Sequence, residues 1–237
     1  MNLCKAVVLV APLDWGLGHA TRCIPIIREL LNQNAMVLCS AQGRGGAILK
    51  REFPALKFVD IPGYQFVYPE KGSMAVSILR QLPNFLISIK NEHAILAELI
   101  ETHHITHVIS DNRYGLYSNK VKSVFITHQI KIKSSRSLWF LEPILFHANK
   151  KRIEKFDELW IPDEPLPNNL SGTLSDSAGI NIPVKHIGIL SRFKELTQPI
   201  EKVYDVIALL SGPEPQRTIL EKNYLCILLP LEKDACW

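Results

Sequence analysis

Ala11-Pro-Leu-Asp-Trp-Gly-Leu-Gly-His-Ala-Thr-Arg22 follows an apolar run and opens a helical pattern, and the fold is decided at that junction. Val7 to Val10 are aliphatic in succession, with no alternation. That pattern predicts a parallel strand, spanning Lys5 to Val10, buried on both faces. Gly16 and Gly18 then permit a tight turn and bring amide N–H groups close to a bound group, while the following helix directs its positive end there. The junction predicts a site for a phosphate or another anion.

The commonest use of such a turn is the dinucleotide fingerprint, which wants a third glycine at position 21 and an acidic residue after the second strand. Position 21 is Thr21, and the predicted strand Ala35 to Ser40 ends in Ala41-Gln-Gly-Arg44. A nucleotide-dependent oxidoreductase is therefore the less favoured reading. In place of the third glycine stand His19 and Arg22, three residues apart and on one side of the first helical turn. An imidazole can take a proton from an attacking hydroxyl, and a guanidinium can grip a carboxylate or phosphate at two points. The alternative is that His19 only packs the helix start and Arg22 is solvated.

Gly16-x-Gly18-His19-x-x-Arg22 after a first strand resembles the N-terminal signature of GT-B glycosyltransferases, especially the branch containing the peptidoglycan N-acetylglucosaminyl transferase. Ser110-Asp-Asn-Arg-Tyr-Gly115 and Val124-Phe-Ile-Thr-His-Gln129 extend the resemblance, which runs from residue 3 to about 222. It implies a Rossmann-like, doubly wound, mostly parallel α/β sheet followed by a second α/β domain. It further implies metal-independent transfer of a sugar from a nucleotide-sugar donor to an acceptor hydroxyl, with no other cofactor. His19 is then the general base, with Gly16 and Gly18 steadying negative charge. Asp111 orients His19 or holds the acceptor hydroxyl. Arg22, Arg113, His128 and Gln129 fall on the acceptor side, and Ser211 and Gly212 on the donor side. For Asp111 and Arg113 the alternative is mutual satisfaction in a loop.

The 237 residues, 47% hydrophobic and 21% charged, describe an ordinary globular chain with room for one α/β domain and part of another. No apolar run approaches the roughly 18–20 residues of a membrane-spanning helix. Cys4, Cys23, Cys39, Cys226 and Cys236 form no CxxC pair, which points to a reduced, cytoplasmic chain without a zinc site. The net charge of +4 is uneven: residues 119–155 hold nine basic side chains against Glu142 and Glu154. Either these form a solvated face or they attract phosphates, on an anionic membrane at the inner face or on an acceptor that is a glycan, lipid-linked or small. Nucleic acid is not expected, since no binding motif accompanies the charge.

Ala20, Cys23, Ile27 and Leu30 mark an amphipathic helix that Pro25 should kink or divide after its first turn. Strands are expected at Ala35 to Cys39 and Lys57 to Ile61, with the Gly43-Arg-Gly-Gly46 cluster between them read mainly as a turn. Tyr64, Phe66 and Tyr68 alternate in a loop or short strand. Ser73 to Thr102 reads as helix broken near Pro83, with Leu79, Leu82, Phe85, Leu86 and Ile89 as its core stripe. Strands are expected at Thr106 to Ser110, Ser123 to Thr127, Glu158 to Ile161 and Val184 to Ile187, and a helix at Leu138 to Phe156, whose Trp139 and Phe140 could rest on a membrane.

The expected division is an acceptor-side domain at 1–192, a linker at 193–203, and the opening of a donor domain at 204–237, with a strand Asp205 to Leu210 leading into Ser211-Gly212. That remainder holds barely one βαβ unit. The expectation is a truncated or frameshifted gene whose tail from Tyr224 diverges. The competing reading is a catalytically inactive remnant, or a module that binds acceptor alone.

Overall fold

The computed structural model describes residues 6–64, 74–134, 136–193, 203, 207–210 and 216–228. Among the described residues seven strands form one sheet: β1 (Val7–Pro12), β2 (Met36–Cys39), β3 (Lys57–Phe58), β4 (His107–Asp111), β5 (Lys122–Ile126), β6 (Glu158–Ile161) and β7 (Val184–His186). Their spatial order is β3-β2-β1-β4-β5-β6-β7, and every pair is parallel. The helices are α1 (Leu17–Asn32), α2 (Gly43–Glu52), α3 (Met74–His103), α4 (Glu142–Ile153), preceded by a 3-10 turn at Arg136–Leu141, and α5 (Gln216–Leu228).

The unbroken apolar run of β1 has its reason in the packing. Val8 and Val10 face a cluster built with Cys23, Ile24 and Ile27 of α1 and Leu49 of α2. Leu9 and Ala11 face the opposite cluster, with Leu96 and Ile100 of α3. A strand covered on both faces has no solvent side for a polar residue. Phe125 of β5 and Leu159 and Ile161 of β6 continue the second face beneath Ile153 of α4.

The chain runs outward from β1 to β3 and then returns to start β4 on the other side of β1. The reversal opens a crevice at the carboxyl ends of β1 and β4, where doubly wound sheets bind ligands. Pro12, the last residue of β1, is the register partner of Asp111, the last residue of β4. Gly16 takes a φ of 77° at the N-cap of α1, a conformation that disfavours side chains, so the helix starts directly over that crevice.

Several local expectations change. Helix α1 continues through Pro25, because buried side chains from Ala20 to Leu30 on both sides of the proline pin it to the sheet against a cost of about 3 kcal/mol. Helix α3 likewise runs through Pro83. Of its expected core stripe, Leu82 and Leu86 are 39% and 38% exposed while Phe85 and Ile89 are half-buried, and the fully buried positions Glu92, Leu96 and Ile100 lie further along. Strand β3 closes after two residues. The glycine cluster serves packing, since a Cβ on Gly46 would lie 2.5 Å from the Ala41 carbonyl oxygen. Residues 207–210 carry no strand, while 205, 206 and 211–215 lie outside the described residues.

Candidate active site

Helix α1 and the end of β4 bring together side chains that are 89 to 92 positions apart in sequence. The centre is Asp111, which has no solvent exposure. Nδ1 of His19 lies 3.2 and 3.1 Å from its two carboxylate oxygens. From the next turn, Arg22 donates through Nε to Oδ2 at 2.6 Å and through Nη2 to Oδ1. Nη2 of Arg22 also stands 2.6 Å from Nδ1 of His19, and Nη1 stands 3.3 Å from Nδ1 of His128.

Burial alone would push the Asp111 carboxyl up. The contacts that His19 and Arg22 make with it, and the guanidinium charge, outweigh burial and hold the group below the usual carboxylate range. The anion is thus built in, and its neighbours are there to satisfy it. His128, just past β5, is shifted down, chiefly by burial and then by the fields of Arg22 and His19, against Asp111 and Asp163. It is therefore neutral at neutral pH. Burial, followed by the Asp111 charge, raises the Cys23 thiol well up, so its Sγ at 4.0 Å from Oδ2 stays protonated and inert.

Gly16 and Gly18 are exposed at the helix start, and a Cβ at either would meet nothing within 4 Å. The first turn of α1 carries no acidic residue, so its amides and positive end remain available to an anion. Gln129 is exposed at the same rim; its carbonyl accepts from Asn149 Nδ2 at 3.2 Å and its amide donates to Thr127 Oγ1 at 3.0 Å, which fixes the loop.

Arg113 is placed differently from the expectation. It is buried and turned away from the rim, donating through Nε to Glu92 at 2.9 Å, through Nη1 to Ser40 Oγ at 3.2 Å and through Nη2 to the Ile61 carbonyl at 2.7 Å. It pairs with Glu92 of α3, and Asp111 pairs with His19 and Arg22, so the two neighbours do not satisfy each other. Asn112 between them has a φ of 57°, which reverses the chain and sends the two side chains to different sides. Ser211 and Gly212 lie outside the described residues, as do Phe66 and Tyr68. Tyr64 donates to Gln81 Oε1 at 3.2 Å and meets Phe85 edge-on.

Two carboxylates have no counterpart in the sequence reading. Asp14 accepts from the Gln42 amide at 2.6 Å through one oxygen, and its other oxygen is buried without a hydrogen-bond partner among the described residues. Burial raises its carboxyl, in spite of that hydrogen bond and the nearby Arg113. Its signal was its position between the first strand and Gly16. Asp163, after β6, accepts from the amides of Glu164, Leu170 and Ser171 at 2.8, 2.9 and 2.8 Å and organises the following loop; nothing in its sequence context marked that role.

Comparison with solved structures places this architecture. No protein-family model matches the chain, and no curated sequence is similar to it. Phytolacca americana UGT2 complexed with UDP-2fluoro-glucose and pterostilbene aligns with a TM-score of 0.52 and 11% identity, over 80% of this chain and 55% of that one. Arabidopsis thaliana UGT89C1 complexed with quercetin aligns at 0.51 and 14%, over 82% and 53%. Acinetobacter baumannii MurG aligns at 0.41 and 11%, over 68% and 42%. The chain has the Rossmann-like α/β fold of GT-B glycosyltransferases and spans about half the length of the solved structures it matches.

Proposed function

We propose that this chain is a glycosyltransferase-like protein, with an acceptor-side domain and the start of a donor-side domain, that moves a sugar from a nucleotide-sugar to an acceptor hydroxyl. The observation that carries the reading is His19 held against the buried, ionised Asp111 at the switch point of the sheet. With its proton on Nδ1, His19 would offer the Nε2 lone pair to the acceptor hydroxyl. The acceptor oxygen then bonds to the anomeric carbon, the bond from that carbon to the donor phosphate breaks, and the nucleoside diphosphate departs with the electron pair. Asp111 would stabilise the imidazolium as it forms. Gly16, Gly18 and the bare first turn of α1 would steady the developing phosphate charge, with Ser211 and Gly212 on the donor side. His128 and Gln129 would line the acceptor side. Arg22 would act there through His19 and His128, and Arg113 would support the floor from within.

The bound molecules of the UGT2 and UGT89C1 structures favour a small hydroxylated acceptor. A lipid-linked acceptor at the inner membrane face is favoured instead by Trp139, Phe140 and Ile144, which are exposed in the segment that leads into Lys150 and Lys151. Against that, Lys120, Lys122, Lys131, Lys133 and Lys150 each have a carboxylate partner, which tempers the attraction. No helix among the described residues is long and apolar enough to cross a membrane.

Titration of the protein with UDP-glucose in a calorimeter tests the reading: micromolar affinity is expected, with transfer to a phenolic acceptor falling by roughly 10²- to 10⁴-fold in Asp111→Asn. Saturable binding of phenols with no heat from any nucleotide-sugar would instead support a module that binds acceptor alone.

A further inference from the structure

Resting on the sugar-transfer reading of this site, we propose that Arg22 is a positioning residue that holds His19 unarmed in the resting protein, with the ring proton on Nε2 and the Nδ1 lone pair occupied by the guanidinium. Nδ1 has two neighbours with opposite demands. The ionised Asp111 carboxylate only accepts, so its contacts at 3.1 and 3.2 Å require a proton on that nitrogen. Arg22 Nη2 only donates, so its contact at 2.6 Å requires a lone pair on the same nitrogen.

A neutral imidazole satisfies one neighbour at a time, and the distances choose between them. The contact with Arg22 is short, whereas the contact with Asp111 is long and divided between two oxygens. Those oxygens already accept from Arg22 Nε and Nη2. Protonating both ring nitrogens gives no escape, since it sets an imidazolium proton against a guanidinium proton and two like charges side by side.

His128 repeats the arrangement. Its Nδ1 is 3.3 Å from Arg22 Nη1 and its ring is neutral, so it too turns a lone pair to the same guanidinium. One arginine thereby fixes the tautomer of two histidines and neutralises the aspartate that would otherwise arm the first. Action of His19 as a base requires Nη2 to leave Nδ1, the Nε2 proton to pass to solvent, and a proton to be taken up at Nδ1 facing Asp111.

Two-bond proton–nitrogen correlation spectra of histidine-labelled protein, recorded at about pH 8 with His19→Gln to identify the His19 signals, test this directly. The expected result is the Nε2–H tautomer for His19 and His128 in the unmodified protein, and conversion of His19 to Nδ1–H in Arg22→Met. A proton on Nδ1 of His19 in the unmodified protein overturns the proposal and needs no variant to fold; an unchanged His19 tautomer in folded Arg22→Met overturns it too. Absence of nucleotide-sugar binding would sink the sugar-transfer reading and leave this result standing. An Nδ1–H tautomer in a protein that does bind the donor would sink the latch alone.

Discussion

Arg113 and Arg22 show how the same side chain takes different work from its surroundings. Arg22 keeps a polar rim, with 13% of its side chain exposed, whereas Arg113 has none and is matched to a buried glutamate. Glu92 also accepts the Gly115 amide at 3.1 Å, so α3 and the loop after β4 meet at this one carboxylate. Burial still raises its carboxyl in spite of Arg113, which shows how poorly that site would tolerate a lone charge. Arg113→Met removes the counter-ion and leaves Glu92 stranded. The expected cost is about 3–5 kcal/mol, read as a lower urea midpoint, and Arg113→Met with Glu92→Leu should recover most of it because an apolar pair replaces the ions. His19→Ala, at the rim, should shift the same midpoint by far less.

At the scale of elements, the close approach of α2 to the loop before it makes a sharper prediction. Gly46→Ala would drive a methyl group against the Ala41 carbonyl, so the helix start must move; a loss of about 1–3 kcal/mol is expected in thermal or urea unfolding. The sequence made the strands legible through unbroken apolar runs, and it placed His19 and Asp111 at one edge because both follow such runs. It over-read Pro83 as a helix break and expected Pro25 to kink or divide α1, where buried side chains on both sides of Pro25 hold one helix; local propensity carries no knowledge of such packing. It placed Arg113 at the rim because spacing does not reveal the left-handed turn at Asn112 or the distant Glu92 that draws the side chain inward. Asp14 was passed over for a similar reason: its amide partner, Gln42, comes from the end of a different strand.

For the whole molecule, the titrations set a direction for stability with pH. In the folded chain His128 is shifted below its ordinary 6.5, so its contribution is present above that value and is lost as pH falls through the lower folded value. Asp111, held below 3.8, adds a second loss of the same sign at stronger acid. Asp14 and Glu92 are shifted up, so acid relieves their burial and partly offsets that second stage. The urea midpoint should therefore fall as pH drops below 6.5, with His107, shifted down by burial and by Lys122, adding to the loss in the same sense; His128→Gln should make that fall shallower, and an equal slope in both proteins would refute the assignment. The sheet's two margins carry a consequence of their own. Among the described residues, strand β3 at one border has two residues and β7 at the other has three, so each offers only a few free amides and carbonyls to a neighbouring molecule. Fibre growth by strand addition finds little template at either border, and concentrated solutions should stay free of thioflavin-positive aggregates while the fold persists.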